Sequence, residues 1–126
     1  MTTQTKQITP MVSVSDVPRS IVFYEHLGFA VANSVTPEGE DKPSWAWLSS
    51  GEAQLMVTTA CDPINPEQQG ILFYLYVENI SATHIELVTA GLQPGPIETP
   101  FYAPQGEFRL TDPDGYTLMI SHTDDD

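Results

Sequence analysis

Glu107-Phe-Arg-Leu-Thr-Asp-Pro-Asp-Gly-Tyr-Thr-Leu-Met-Ile-Ser-His122 reads as a β-hairpin. Phe108 and Leu110 alternate with polar residues, and Leu118 and Ile120 resume the alternation beyond Asp112-Pro-Asp-Gly115. Proline presets one turn dihedral and glycine accepts positive φ, so the turn assignment has a mechanism. The second strand, Thr117-Leu-Met-Ile120, nearly repeats Gln54-Leu-Met-Val57, 63 residues upstream. The same shift carries Val14-Ser-Asp16 onto Val77-Glu-Asn79 and Gly28 onto Gly91. Asp16 and Asn79 each follow an apolar strand and precede a helical stretch, as helix N-caps do. Gly28 and Gly91 each close that helix where a left-handed residue is wanted. The punctuation therefore predicts two copies of one βαβββ unit, an α+β fold.

In the first module, 8–58, the pattern predicts a strand at 8–14, a helix at 18–27 and strands at 29–35, 45–49 and 53–58. The stretch 36–43 carries two prolines and a glycine without periodicity and reads as a loop. A connector at 59–70 leads to the second module, 71–122. There a strand at 71–77, a helix at 81–90 and a short edge strand around Ile97 precede the hairpin, with a loop at 99–106. The whole chain, 1–126, is expected to form one domain.

Composition narrows the function classes. A chain of 126 residues with 40% hydrophobic content can bury about two-thirds of its unfolded surface. No apolar run is long enough to span a membrane, and residues 1–7 lack the apolar core of a secretory signal. A single cysteine, Cys61, permits no intramolecular disulfide and fits a reducing, cytoplasmic setting. Four Lys and Arg against 17 Asp and Glu give a net charge of −13, which excludes nucleic acid and anionic membranes as partners. The acidic tail 124–126 is a solvated end on the plain reading; on the sharper one, the overall charge attracts a cationic ligand.

Alternation also assigns faces. Val12, Val14, Leu48, Leu55, Val57, Ile71, Phe73, Leu75, Val77, Phe108, Leu110, Leu118 and Ile120 are expected to meet the helices. The opposite face then carries Met11, Trp45, Trp47, Gln54, Met56, Leu72, Tyr74, Tyr76, Glu107, Arg109 and Met119. A curved eight-stranded mixed sheet with that lining, helices outside, makes an amphipathic cleft suited to an organic ligand. Phe101 and Tyr102, in the loop 99–106, join the candidate ligand contacts. The aromatic residues fit stacking on a flat ligand or capture of an amine, and equally packing among themselves or against a second chain. Glu107 and Arg109 lie two apart on one strand face. They either pair with each other or across strands, or hold a charged group of the ligand.

Val12-Ser-Val-Ser-Asp-Val-Pro-Arg-Ser-Ile-Val-Phe-Tyr-Glu-His-Leu-Gly-Phe29, Tyr74-Leu-Tyr-Val-Glu-Asn79 and Gly106-Glu-Phe-Arg-Leu-Thr-Asp-Pro-Asp-Gly115 together resemble the vicinal oxygen chelate superfamily. That group includes glyoxalase I, bleomycin-resistance proteins and extradiol dioxygenases. The resemblance implies paired βαβββ modules and, in the metal enzymes, up to four His, Glu or Gln ligands from equivalent strand positions. Carried over, those positions are similar to Thr9, Met56, Leu72 and Met119 here. None suits a divalent metal, which wants imidazole, carboxylate or thiolate. His26, His84 (with Glu86) and His122 read as surface histidines, whereas Glu98, like Glu107 and Arg109, is better placed to face the cleft. The resemblance also implies a homodimer, as in the metal-free bleomycin-resistance proteins. The expected function is binding and sequestration of a small organic molecule, cationic or aromatic, without a metal or other cofactor and with no catalytic residue assigned. Met11, Trp47, Met56, Tyr74 and Met119 would supply the burial, and Gln54, Glu107 and Arg109 the orientation. Two alternatives stand beside it: a lyase or dioxygenase with relocated ligands or acid–base chemistry at Glu107, and a protein-interaction module.

Overall fold

The computed structural model describes residues 3–123; the acidic tail 124–126 lies outside the described residues. The chain forms two compact units, the first ending at Ile64 and the second beginning at Asn65.

In the first unit, β1 (Met11–Val14), α1 (Val17–Glu25), β2 (Ala30–Val35), β3 (Trp45–Ser50) and β4 (Ala53–Thr59) follow in order. The sheet runs β1-β4-β3-β2, with β1 parallel to β4 and the other pairs antiparallel. The second unit contains β5 (Leu72–Val77), α2 (Ile80–Thr89), β6 (Glu107–Thr111) and β7 (Thr117–His122). Its sheet runs β5-β7-β6, with β5 parallel to β7 and β6 antiparallel to it. A parallel pair in each unit requires a crossover, and the helix supplies it.

The two helices are punctuated alike. Asp16 Oδ1 accepts from the Arg19 N–H at 3.2 Å, and Asn79 Oδ1 from the Ala82 N–H at 2.9 Å. Gly28 and Gly91 share φ +91°. The residue after each glycine donates back into the last turn, Phe29 to Tyr24 O and Leu92 to Leu87 O. Both N- and C-terminal orphan groups thus find partners at matching positions.

Burial follows the expected parity. Val12, Val14, Leu48, Leu55, Val57, Phe108, Leu110, Leu118 and Ile120 are buried, and Phe73, Leu75 and Val77 are half-buried. Ile71 departs from it: β5 starts one residue later and Ile71 is exposed. β1 is also shorter than its apolar run, because Pro10, lacking an N–H, can only accept, from the Met56 N–H. The edge strand expected at Ile97 is reduced to one bridge, Glu98 to Glu107. Pro94, Pro96 and Pro100 leave too few donors for a ladder. The described residues therefore hold seven strands, in sheets of four and three.

The hairpin turn is locked from two directions. Asp112 Oδ1 accepts from the Asp114 and Tyr116 N–H groups, both at 2.9 Å. Gly115, at φ +88°, passes so close to the connector that a Cβ there would lie 2.4 Å from the Pro66 carbonyl oxygen. Gln69 Nε2 donates to Asp114 O at 3.1 Å, tying the connector to the same turn. Substituting Gly115→Ala adds positive-φ strain of roughly 1–3 kcal/mol and also displaces the connector. Asp112→Ala strands two buried N–H groups, on the order of 1–3 kcal/mol each, whereas Asp112→Asn keeps the acceptor. Urea unfolding midpoints should fall for Gly115→Ala and Asp112→Ala and move much less for Asp112→Asn; three unchanged midpoints would show that the turn is not a stabilising element.

Candidate functional site

Strand register places the candidate residues of the second unit in two rungs on one sheet face. Tyr74 lies opposite Met119, which lies opposite Arg109; Tyr76 lies opposite Ser121, which lies opposite Glu107. Period-two alternation turns all six away from buried Phe108, Leu110, Leu118 and Ile120. The Tyr74 and Tyr76 rings stack at 6.1 Å with planes 24° apart, and both remain exposed.

Glu107 is buried on this face, with only 4% of its surface accessible, as is Ser121 opposite it. Its backbone is held from the far side by the Glu98 bridge, Glu98 N–H to Glu107 O at 2.8 Å and Glu107 N–H to Glu98 O at 2.9 Å. The loop before β6 brings Tyr102 across, and its hydroxyl donates to Glu107 Oε1 at 2.6 Å. Among the described residues Oε2 has no hydrogen-bond partner, so Arg109 does not neutralise it by contact.

Two hollows adjoin this carboxylate. One, of about 370 Å³, is bounded by Gly95, Pro96, Tyr102, Glu107, Arg109 and Met119. The other, of about 110 Å³, is bounded by Tyr74, Tyr76, Tyr102, Glu107, Ser121 and His122. Tyr102 and Glu107 belong to both. Glu98 also lines the larger hollow.

Two histidines depart from their expected surface placement. His84, on α2, is half-buried, donates from Nε2 to Gly95 O at 2.8 Å and meets Phe108 edge-on at 4.9 Å. Gly95 N–H in turn donates to Arg109 O at 2.8 Å, so one wall of the larger hollow is held at both ends. His122, which pairs with Val77 at the last rung of β7, lines the smaller hollow, and its Nδ1 is buried without a partner among the described residues. The end of the ladder is where alternation loses its force. Phe101 contacts Tyr102 edge-on at 5.5 Å but is 97% exposed, and like exposed Leu72 it lines neither hollow.

In the first unit the same register recurs: Met11 lies opposite Met56 and Met56 opposite Trp47, while Trp45 lies opposite Thr58. Gln54 is not a free orienting group, since its Oε1 already accepts from Trp47 Nε1.

The positions that the sequence resemblance expects to correspond to metal ligands offer a hydroxyl that accepts from Gln7 Nε2 (Thr9), a hydrocarbon (Leu72) and two thioethers (Met56, Met119). That donor set does not fit a hard or borderline divalent ion. Among the described residues no group of three or more His, Cys, Asp or Glu could hold a metal ion. Cys61 is exposed, and no helix among the described residues is long and apolar enough to cross a membrane.

Residues 6–120 match the sequence profile of the Glyoxalase/Bleomycin resistance protein/Dioxygenase superfamily. Among solved structures, a bleomycin resistance determinant encoded on transposon Tn5 is 20% identical, with TM-score 0.77 over 95% of this chain and 99% of that one. The bleomycin-binding protein of bleomycin-producing Streptomyces verticillus, complexed with copper(II)-bleomycin, is 18% identical, with TM-score 0.68 over 98% and 100%. A fosfomycin resistance protein from Listeria monocytogenes, complexed with Mn(II) and 1S,2S-dihydroxypropylphosphonic acid, is 8% identical, with TM-score 0.75 over 95% and 93%. At these identities the likeness is one of fold, and it embraces a metal-bound protein as well as bleomycin binders. No curated protein sequence matches the chain.

The Tyr102–Glu107 contact has a spectroscopic consequence. The hydrogen bond to Glu107, then desolvation and the carboxylate's charge, push the Tyr102 phenol from 10.0 up to about 12. A raised folded-state value means that this contact stabilises the fold below the unfolded value near 10 and is lost as pH climbs from there through about 12. Alkaline absorbance titration should show one tyrosine ionising about two units late, absent in Tyr102→Phe and returned toward 10 in Glu107→Gln. A late component that survives both substitutions would assign the shift to another tyrosine.

Proposed function

The chain belongs to the Glyoxalase/Bleomycin resistance protein/Dioxygenase superfamily, and on that premise we propose that it binds a small organic molecule on the β5–β7–β6 face, without the metal of the superfamily's enzymes. The observation that carries this reading is the pair of adjoining hollows on one sheet face. They combine exposed aromatic surface (Tyr74, Tyr76), a thioether (Met119) and a few convergent polar groups (Tyr102, Glu107, Arg109). Large apolar contact with sparse, placed polar groups is the usual make-up of a small-molecule site.

Magnitudes divide the labour. Apolar contact with the tyrosines and Met119 contributes about 25 cal/mol per Å² of surface covered. Micromolar affinity needs about 8 kcal/mol, before the cost of immobilising the ligand. Stacking on Tyr74 and Tyr76 and hydrogen bonds at Tyr102, Glu107 and Arg109 add to that contact, and they also fix orientation.

An acid–base enzyme at Glu107 is the weaker reading. Tyr102, pushed up to about 12, is a poorer proton donor near neutrality than an ordinary tyrosine, while it serves well as a fixed hydrogen-bond donor. The thioethers at positions 56 and 119 offer no electrophile.

A fragment screen followed by amide NMR should give hits that shift Tyr74, Tyr76 and Met119, with affinity falling roughly tenfold, about 1.4 kcal/mol, in Tyr74→Ala. Elemental analysis after incubation with Ni, Zn, Mn and Fe salts should give well under one metal per chain. One metal per chain, displaced by neither Tyr74→Ala nor the fragments, would return the enzyme reading to the front.

A further inference from the structure

Glu107 Oε2 is a buried acceptor with no hydrogen-bond partner among the described residues, on a face that also carries exposed Tyr74, Tyr76 and Arg109. Buried side-chain oxygens are overwhelmingly hydrogen-bonded, and an uncompensated buried carboxylate is among the costliest groups a fold can hold. Here Oε1 is satisfied by Tyr102, while Oε2 has no partner among the described residues and the side chain borders both hollows. Arg109, one rung away and exposed, does not reach it. Tyr102, itself a donor to the carboxylate, fixes the orientation that leaves Oε2 unused.

We propose that the ligand presents a protonated amine to Glu107 Oε2, so that the site selects organic cations. The inference rests on the β5–β7–β6 face being the binding site. Three further features favour a cation over a neutral donor or an anion. The stacked Tyr74 and Tyr76 rings border the smaller hollow and offer π faces to a cation. His122 Nδ1, unpartnered among the described residues and buried at the same hollow, provides a second acceptor in the tautomer protonated at Nε2. The net charge of −13 raises the local concentration of cations around the whole chain. An anionic ligand would meet the buried carboxylate with nothing on its free oxygen to offset the repulsion.

The test uses 2-phenylethylammonium, its neutral isostere 2-phenylethanol, and 3-phenylpropanoate, titrated into the full chain near neutral pH and followed by calorimetry and amide NMR. The ammonium should bind roughly ten- to a hundredfold tighter than the alcohol, the range set by one hydrogen bond to a charged group, with shifts at Tyr74, Tyr76 and Glu107. The propanoate should bind most weakly. Glu107→Gln, which keeps the shape and an acceptor for Tyr102, should bring the ammonium-to-alcohol ratio close to one; Glu107→Asp, which keeps the charge but withdraws it, should retain a reduced preference. Should Glu107→Gln not fold, loss of preference in Glu107→Asp relative to the parent chain decides the point. Equal binding of ammonium and alcohol at the tyrosines would overturn the cation assignment and leave the binding site standing. Shifts confined to residues away from the β5–β7–β6 face, or none with any probe, would overturn both.

Discussion

The carboxylate of Asp112 holds the second unit in register. By accepting two backbone N–H groups of its own turn, it fixes where β6 ends and β7 begins, and Gly115 lets the connector close against that turn at Pro66. Everything proposed for the binding face follows from this registration. It sets Glu107 against Ser121 and Arg109 against Met119; the parallel pairing of β5 then adds Tyr76 and Tyr74 to the same rungs. A slip of one residue would send Glu107 to the core side and Phe108 to the face. A buried turn carboxylate is thus as much a determinant of the site as the residues that line it.

The two units share one plan and differ where the second one carries its hollows. Caps, closing glycines and the parallel pair recur at matching positions. The strand that completes the first sheet, β2, has in the second unit only the Glu98 bridge as counterpart. Prolines at 94, 96 and 100 deny the chain a ladder there, and the segment instead loops over the sheet to deliver Gly95 and Tyr102 to its face. His84 then steadies this loop from the helix side through Gly95. Loss of regular pairing and gain of a cavity are two aspects of one local change.

Chemistry on this scaffold follows the side chains at a handful of strand positions. Where the sequence resemblance expects metal ligands, this chain has Thr9, Met56, Leu72 and Met119, and Met119 lines the larger hollow with apolar surface. The polar character that remains is concentrated in the Tyr102–Glu107 contact. A pair so placed can orient and select a ligand by charge without transferring a proton, because the phenol's ionisation is driven well away from neutrality.

The sequence by itself determined the repeat, the caps, the turn and the side of the sheet each strand residue takes, because these depend on local dihedral preferences and on a period of two. That Thr9, Met56, Leu72 and Met119 stand where the resemblance expects metal ligands is likewise a matter of residue identity alone. The sequence misplaced what depends on ends and on distant partners: Ile71 beyond the start of β5, the strand at Ile97 and His122 at the last rung. Above all, alternation placed Glu107 and Arg109 as equals on one face, whereas only one of them is buried. That difference comes from a loop which crosses the sheet at Tyr102 and a bridge at Glu98. Such contacts are set by how the chain folds back on itself, and no periodicity along the strand encodes them.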